Sequence, residues 1–254
     1  MDPYVYRLGR GLYINLTNDC NNDCAFCERQ SRPGVAGYRL WLEQEPDAQQ
    51  VLEALRAGMD EAVDEVVFCG YGEPTLRLDT LVRVACGVKA LWPDMPVRIN
   101  TNGLANLQYG EDITPLLHGC VDTVSISLNA PTAQEYAALC HPAFGEKAYE
   151  GLIDFARCAR AQVPHVVMTV VDVIGPEAVE ACRRLGSSTA SGRWRRFNWQ
   201  VKGEGKDAFP PFLCAAAAGF LGEKGKCLYQ KRVGWYNTYI FTRKGEGVLL
   251  EIGL

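Results

Sequence analysis

Three cysteines near the N-terminus are the residues of this chain best suited to chemistry. Cys20, Cys24 and Cys27, called the cysteine triad below, lie in the run CNNDCAFC directly after the apolar segment GLYINLT. Three thiolates in one short loop can bind a single inorganic centre, and cysteine is the usual protein ligand of iron–sulfur clusters. No further cysteine or histidine lies in the next ten residues. A cluster held by these three thiolates alone would keep one iron open for chemistry.

The same C-x3-C-x2-C spacing is compatible with a structural zinc ion. Structural zinc sites have four protein ligands, most often cysteine and histidine. Cys69 or His118 would then supply the fourth ligand. The spacing by itself leaves iron–sulfur and zinc chemistry both open, and the surrounding elements have to decide between them.

The elements that position the triad alternate between strand-like and helix-like segments. Short apolar runs predict strands at 12–16, 65–69, 97–100, 123–128 and 165–171. Helical spacing predicts helices at 47–62, 79–92 (with Asp79 as the N-cap), 113–117, 132–139, 146–161 and 176–185. This alternation predicts an α/β fold with a parallel sheet and right-handed crossovers. A barrel, complete or partial, and an open doubly wound sheet both fit the pattern.

A polar or glycine-rich motif follows each of the five predicted strands. In chain order the motifs are CNNDCAFC, CGYGEPT (69–75), NTNG (100–103), SLNAP (127–131) and VDVIGPE (171–177). Parallel strands place their carboxyl ends at one edge of a sheet, where ligands of such folds bind. The five motifs are therefore expected to converge on a single site.

With these motifs in place, residues 12–185 resemble a radical S-adenosylmethionine (radical SAM) enzyme. The Cx3CxΦC motif is matched in full, with Phe26 as the aromatic residue before the third cysteine. The resemblance implies a partial (β/α)6-type TIM barrel, with the radical SAM core at 1–186. More narrowly, the phrases LYINLTNDCNNDCAFC, VFCGYGEPTL, INTNGLAN and SISLNAP resemble the small group of radical SAM proteins associated with TatD-type nucleases.

The resemblance also implies the residues that would hold the cofactors. The cysteine triad would ligate three irons of a [4Fe-4S] cluster, whose fourth iron would bind the amino and carboxylate groups of S-adenosylmethionine (SAM). Phe26 would lie against the adenine, and Ile174, within 173–175, would pack on it as well. Asn102, Ser127 and Asn129 are candidates for ribose or carboxylate contacts, because short polar side chains both donate and accept.

The segment Gly70, Tyr71, Gly72, Glu73 and Pro74 stands where the superfamily carries GGEP, which contacts the SAM amino group. The glycines permit close backbone approach, and Glu73 adds an acceptor for a cationic amine. Tyr71 stands in place of a glycine, which is a departure from the family pattern.

Simpler structural roles exist for two of the later motifs. NTNG is also a common turn sequence. Ser127 and Asn129 are also candidates to cap the helix predicted at 132–139.

The activity implied is reductive cleavage of SAM to methionine and a 5′-deoxyadenosyl radical, which abstracts hydrogen from a substrate. A flavodoxin- or ferredoxin-type electron donor is implied with it. The sequence does not name the substrate. The alternative is a non-catalytic zinc- or cluster-binding interaction protein on a degenerate barrel, because a barrel that lacks its last strands does not close.

Composition limits the class of protein. The 254 residues are 48% hydrophobic and 22% charged, as in an ordinary globular domain. No apolar run reaches the roughly 20 residues that a membrane helix needs, and the first ten residues lack an apolar leader. Eleven cysteines are then expected to be thiols and cluster ligands of a cytoplasmic chain. Those outside the triad, up to residue 182, are expected to be small buried hydrophobes: Cys69, Cys86, Cys120, Cys140, Cys158 and Cys182.

The charge is distributed unevenly. Residues 187–254 hold 11 basic and 5 acidic residues, which is +6, so residues 1–186 hold 15 basic and 25 acidic residues, which is −10. An acidic body disfavours nucleic-acid binding, because phosphate backbones demand Lys and Arg. The strand–helix period is lost after Gly186, which predicts an irregular basic C-terminal extension at 187–254 with one candidate sixth strand at 197–202.

Overall fold

A seven-stranded sheet organises the fold. The computed structural model describes residues 4–30, 34–188, 197–202, 227–229, 239–243 and 246–250. The strands are β1 (Val5–Leu8), β2 (Gly11–Ile14), β3 (Gly34–Val35), β4 (Tyr38–Arg39), β5 (Glu65–Phe68), β6 (Val97–Thr101), β7 (Thr123–Ser127), β8 (His165–Val171), β9 (Phe197–Lys202), β10 (Cys227–Tyr229), β11 (Tyr239–Arg243) and β12 (Glu246–Leu250). The helices are α1 (Ala48–Gly58), α2 (Leu78–Leu91), α3 (Ala105–Tyr109), α4 (Ala133–Cys140), α5 (Lys147–Gln162) and α6 (Pro176–Ser188).

The order of strands in this sheet is β1-β2-β5-β6-β7-β8-β9. β1 pairs antiparallel with β2, and every other neighbouring pair is parallel. β1 and β9 are the two edges, so the sheet is not closed. The predicted α/β fold with parallel strands is confirmed, and its form is a partial barrel with six parallel strands.

The helices pack on one face of the sheet. Alternate strand residues such as Ile14, Phe68, Ile99 and Ile126 join apolar residues of all six helices in one core. A doubly wound sheet would have helices on both faces. The one-sided arrangement therefore decides between the two architectures that the sequence left open. In the described part of the chain, no helix is both long enough and apolar enough to cross a bilayer.

The opposite face, called the inner face below, is polar over much of its width. Val67 lies beside Arg98 on the neighbouring strand, and Asn100 lies beside Ser125. Arg98 forms a two-pronged ion pair with Glu65, with nitrogen–oxygen distances of 2.7 and 3.1 Å. In a fold with both faces of the sheet covered, this face would be apolar and would form a second core. Here it carries groups able to bind a polar molecule.

The short elements were not predicted. β1, the hairpin formed by β3 and β4, and α3 each span only two to five residues. Segments this short carry too few residues for a period to show. The segment predicted as a helix at 113–117 is a 3-10 turn at Thr114–Leu117.

Asp79 is not the N-cap of α2, so that prediction is wrong. A 3-10 turn at Pro74–Arg77 leads directly into α2, and Arg77 occupies the N-cap position without a side-chain cap. Asp79 lies in the first turn instead, where a negative charge is favourable beside the helix dipole. α1, by contrast, begins with a full capping box in which Asp47 and Gln50 bond each other's backbone N–H.

The predicted extension 187–254 is described only in part. β9 covers the candidate sixth strand and pairs in parallel with β8. β10, β11 and β12 form a separate antiparallel sheet, which was not predicted. Residues 189–196, 203–226, 230–238, 244–245 and 251–254 lie outside the described residues. α6 continues to Ser188, and the domain boundary at 186 stays a prediction.

Two of the cysteines expected to be thiols form a disulfide, so the expectation is wrong for them. Cys86 in α2 is bonded to Cys120, which lies just before β7. Cys140 and Cys182 are buried, as expected, whereas Cys69 and Cys158 are only partly buried. The pairing could not be deduced from sequence, because it depends on which elements become neighbours in the fold.

We expect Cys86→Ser to lower the free energy of unfolding by about 3–4 kcal/mol, because the disulfide closes a long loop in the unfolded chain. The two cysteines are 34 residues apart. Urea unfolding under non-reducing conditions measures the change, with Cys158→Ser as the control that removes a thiol without a disulfide. Equal urea midpoints for the wild-type chain before and after reduction would contradict the prediction.

Candidate functional site

The loop that carries the cysteine triad follows β2 and is held by the C-terminal end of α4. The backbone N–H of Asp23 donates to the carbonyl of Cys140 at 3.1 Å, and that of Ala25 donates to Leu139 at 3.0 Å. Two strand-like hydrogen bonds from a helix end thus fix the middle of the loop. The sequence offered no signal for this contact beyond the apolar end of α4.

Asn22 anchors the same loop through its side chain. Its amide nitrogen donates to the hydroxyl of Tyr136 at 3.0 Å, and its backbone forms a bridge with Pro142. Asn22 is buried. The loop is therefore positioned by residues from 136 to 142, more than a hundred positions away along the chain.

Cys20 faces the loops that follow β5 and β6. Its Sγ accepts from the backbone N–H of Asn22 at 3.4 Å and lies 3.9 Å from Nδ2 of Asn102. Burial, and next the charge of Glu73, raise the pKa of the Cys20 thiol to about 12.

Cys24 and Cys27 are also partly buried. The neighbouring thiol of Cys140 and then burial raise the pKa of the Cys24 thiol, whereas Asn22 acts in the opposite direction. Burial raises the pKa of Cys27 as well. The backbone N–H of Cys27 donates to the carbonyl of Cys24 at 3.0 Å, which closes a tight turn between them.

Within the described ranges, no three His, Cys, Asp or Glu side chains are arranged to hold a single metal ion. A tetrahedral zinc ion with Zn–S bonds of about 2.3 Å requires its sulfurs to lie about 3.8 Å apart. The structure also does not bring His118 to the triad. His118 precedes β7 and bonds the carbonyl of Gln162, so it lies at the amino ends of the strands, whereas the triad follows a strand.

The loop after β5 contacts the start of the cysteine loop so closely that only glycine fits. A Cβ atom at Gly72 would overlap the backbone of Thr17 and Asp19, and one at Gly70 would overlap the side chain of Asn15. The N–H of Glu73 donates to the carbonyl of Asp19 at 2.8 Å. The two glycines were predicted to let SAM approach the backbone. They also let the protein's own segment 15–19 approach it.

Glu73 is buried and its carboxylate accepts four hydrogen bonds. Oε1 accepts from the N–H of Thr75 (3.1 Å) and from the hydroxyls of Thr75 (2.6 Å) and Thr101 (2.7 Å), and Oε2 accepts from the N–H of Asn102 (2.7 Å). Burial raises its pKa, and the four donors act in the opposite direction. Pro74 is buried beside it and begins the 3-10 turn. This carboxylate ties the loop after β5 to the end of β6.

Tyr71 points away from these loops into an aromatic cluster on the inner face. It is buried with Tyr6, Tyr13, Leu40 and Val67. The indole of Trp41 meets its ring edge-on at a centroid distance of 5.5 Å. The tyrosine that departs from the family pattern therefore has a packing role, and it leaves both flanking glycines free to approach the cysteine loop.

The segment 40–42, which no sequence pattern singles out, covers one side of the inner face. The amide of Asn15 donates to the carbonyl of Leu40 at 2.6 Å. Asn18 and Leu42 exchange two hydrogen bonds, at 2.8 and 3.0 Å. Both asparagines come from the chain between β2 and the triad, so this segment and the cysteine loop position each other.

Asn102 connects the NTNG motif to the cysteine loop. Its Nδ2 donates to Oδ1 of Asn21 at 2.5 Å, and its own Oδ1 accepts from the N–H of Leu104 at 3.0 Å. NTNG is therefore both a turn and a contact to the triad.

Ser127 and Asn129 do not cap α4, because Thr132 occupies the N-cap position and accepts from the N–H of Glu135. Asn129 has a left-handed backbone, with φ of 55°, and is buried. Its Oδ1 has no hydrogen-bond partner in the described part of the chain. A strained, buried asparagine with an unpaired oxygen at the carboxyl edge is typical of a position that contacts a ligand.

Phe26 and Ile174 lie on the helix side of the site. Both are partly buried and pack against the main core. Val173, next to Ile174, is 64% exposed. The structure does not show these two apolar residues in contact with each other, and their contact with adenine stays a prediction.

Comparison with known proteins gives a family for this arrangement. Residues 14–185 match the family model of the Radical SAM superfamily. A GTP 3′,8-cyclase of Corynebacterium glutamicum is 30% identical over 138 residues, which are 52% of this chain and 34% of that protein. A probable GTP 3′,8-cyclase of Thermococcus kodakarensis is 29% identical over 133 residues, which are 51% and 39%. The match thus spans 34–43% of the length of these curated relatives.

A solved structure shares the fold. A radical SAM methyltransferase from Sphaerobacter thermophilus superposes with a TM-score of 0.55 at 16% identity, over 81% of this chain and 60% of that one. The family model covers more than half of the chain and contains the cysteine triad and every strand-end motif. The chain belongs to the radical SAM superfamily.

Proposed function

We propose that this chain is a radical SAM enzyme in which the cysteine triad holds a [4Fe-4S] cluster and the carboxyl edge of the sheet holds SAM. Enzymes of this superfamily use both cofactors. One observation supports the proposal most strongly, namely that three separate motifs contact each other at this edge. Asp19 bonds Glu73, Glu73 bonds Asn102, and Asn102 reaches Cys20.

The residues present fit the two cofactors. Three partly buried thiols on one loop are the donor set of a cluster with an open iron. The unpaired Oδ1 of Asn129 offers an acceptor to a hydroxyl or amino group of SAM. Ser127, two residues earlier at the end of β7, is only partly buried and lies at the same edge.

When bound, the two cofactors would supply the one-electron chemistry that cleaves SAM and abstracts hydrogen from a substrate. The protein's own residues bind, orient and exclude water. Glu73, with all four of its hydrogen bonds made to the protein, acts by holding the loops. The backbone of Gly70, Tyr71 and Gly72 is left to face the amino group.

The substrate is proposed to lie over the inner face. Ser125 is 1% exposed, and its hydroxyl has no hydrogen-bond partner in the described ranges. Asn100 lies beside it on β6, and Arg98 with Glu65 continues the polar row toward the amino ends of the strands. A substrate rich in hydrogen-bonding groups fits this row better than an apolar one.

The proposal includes three further points. They are membership of the TatD-associated group, a flavodoxin- or ferredoxin-type electron donor, and a cytoplasmic location. The quoted phrases of the sequence support the first. The need of the cluster for an electron supports the second, and the number of free thiols supports the third.

The cysteine triad is expected to bind about four irons per chain after anaerobic reconstitution. Cys27→Ala should lose most of this iron and all SAM cleavage under reduction, because one of three ligands is gone. Cys158→Ala removes a partly buried thiol of α5 and should retain both. Unchanged iron content and SAM cleavage in Cys27→Ala would refute the assignment.

Gly72→Ala is expected to lower the free energy of unfolding by about 1–3 kcal/mol and to reduce iron binding, because the added Cβ displaces the backbone of the cysteine loop. Gly87→Ala is the matched control, since the atoms nearest to its Cβ would belong to the end of the Leu52 side chain rather than to backbone. Chemical unfolding and iron analysis of both variants test the difference. Equal behaviour of the two variants would count against close approach at Gly72.

Ser125→Ala is expected to leave the fold as stable as before or stabilise it by about 1 kcal/mol, because a buried hydroxyl without a partner is costly. Thr169→Val should instead destabilise the fold, since the Thr169 hydroxyl donates to the carbonyl of Ile126 at 3.2 Å. Thermal unfolding compares the two. A marked loss of stability in Ser125→Ala would show that its hydroxyl is needed by the fold rather than available to a substrate.

A further inference from the structure

Asn102 directs its side-chain amide at the first cysteine of the triad. Its Nδ2 lies 3.9 Å from Sγ of Cys20, within reach of a hydrogen bond to sulfur. Asn102 is 8% exposed, and its backbone N–H donates to the buried carboxylate of Glu73 at 2.7 Å. The predicted contact of Asn102 with SAM does not account for this position of the amide nitrogen.

The hydrogen bonds of the turn fix which end of the amide faces the sulfur. Oδ1 of Asn102 accepts from the backbone N–H of Leu104 at 3.0 Å. Because a backbone N–H can only donate, the atom beside it is the oxygen, and the nitrogen lies on the other side. Nδ2 donates one hydrogen to Oδ1 of Asn21 at 2.5 Å and has the second for Cys20. The donor that faces Cys20 is therefore held in place by the turn and by the cysteine loop together.

The contact becomes stronger when Cys20 ligates iron. A cysteine ligand has lost its proton, and a charged acceptor forms stronger hydrogen bonds than a neutral one. The backbone N–H of Asn22 donates to the same sulfur at 3.4 Å, so the Cys20 thiolate would accept from two N–H groups. Hydrogen bonds to ligand sulfurs withdraw negative charge from an iron–sulfur cluster and raise its reduction potential.

We propose that Asn102 is a positioning residue whose Nδ2–H donates to the Cys20 thiolate and makes the cluster easier to reduce. The inference rests on the proposed function, because it requires Cys20 to be a ligand. Asn102 acts through Cys20 on the electron-transfer step that precedes the cleavage of SAM. In that step the cluster gains one electron from the external donor, and Asn102 neither gains nor loses a proton.

The test is an EPR-monitored redox titration of the reconstituted enzyme without SAM. Asn102→Ser keeps an oxygen that can accept from the N–H of Leu104, but its side chain is too short to reach Cys20. The ratio of reduced to oxidised cluster at a fixed potential should fall about fivefold, which for one electron is about 40 mV at 59 mV per tenfold change. Asn102→Asp keeps the acceptor, replaces the donor with a carboxylate oxygen and should lower the ratio at least as far.

Asn21→Ala is the matched control. It removes the partner of the other Nδ2 hydrogen and leaves the hydrogen that faces Cys20. The ratio of reduced to oxidised cluster should then change less than about twofold. An equal fall in Asn21→Ala and Asn102→Ser would overturn the proposal, since the lost link between the two loops would explain both.

The affinity for SAM separates this role of Asn102 from the predicted one. Equilibrium dialysis of SAM against the reconstituted, oxidised enzyme measures that affinity in the wild type and in Asn102→Ser. A weaker affinity together with an unchanged ratio of reduced to oxidised cluster would assign Asn102 to SAM alone and overturn the proposal. A lowered ratio in the absence of SAM supports it, because no contact with SAM can then be the cause.

The remaining outcomes distinguish the two proposals. A wild-type chain that binds no four-iron cluster contradicts the proposed function, and the inference with it. A wild-type chain with the cluster, together with an unchanged ratio in both Asn102 variants, overturns only the role of Asn102. Loss of the cluster from both Asn102 variants, but not from Asn21→Ala, also overturns it, because Asn102 would then be needed to hold the cluster rather than to set its potential.

Discussion

The buried carboxylate of Glu73 is the interaction on which the arrangement of the candidate site depends. It accepts four hydrogen bonds from the loops after β5 and β6, while its own N–H holds the start of the cysteine loop. A buried carboxylate that loses its donors is costly. None of the three loops can therefore move independently of the others. The position of the triad relative to the rest of the edge is set by a residue that was expected to contact the cofactor directly.

The close approach of the chain to itself explains the order of residues in GYGEP. Gly70 and Gly72 lie against Asn15 and against the backbone of Thr17 and Asp19, where any side chain would overlap. Tyr71, between them, points to the opposite side and completes the aromatic cluster of the inner face. Alternation along an extended segment lets one short motif meet both requirements. Tyr71 is thus accommodated between the two glycines, because its side chain has room in the aromatic cluster of the inner face.

The sequence predicted the elements in which apolar residues recur with a regular period. It missed the contacts between residues that are far apart along the chain. β5 to β8 and the long helices carry enough apolar residues for their spacing to show. The strand-end positions of the motifs then followed from the parallel sheet alone. The disulfide between Cys86 and Cys120, the backbone bonds between the cysteine loop and the end of α4, and the covering segment 40–42 have no local pattern. Asp79 was misplaced because the 3-10 turn at Pro74–Arg77, which Glu73 caps, leads directly into α2, so that α2 begins without a side-chain cap.

Placing all six helices on one face leaves the other face for chemistry, and it also supports the cysteine loop. The cysteine loop cannot form a stable structure by itself, because it contains three cysteines and few apolar residues that could be buried. α4 supplies the missing backbone partners through Leu139 and Cys140, and Asn22 adds a buried contact to Tyr136. In small zinc domains the free energy of metal binding offsets the entropy that is lost when the loop becomes ordered, and the chain without metal is unfolded. Here the protein supplies backbone and side-chain partners to the loop from α4, so the position of the loop does not depend on metal ligation alone.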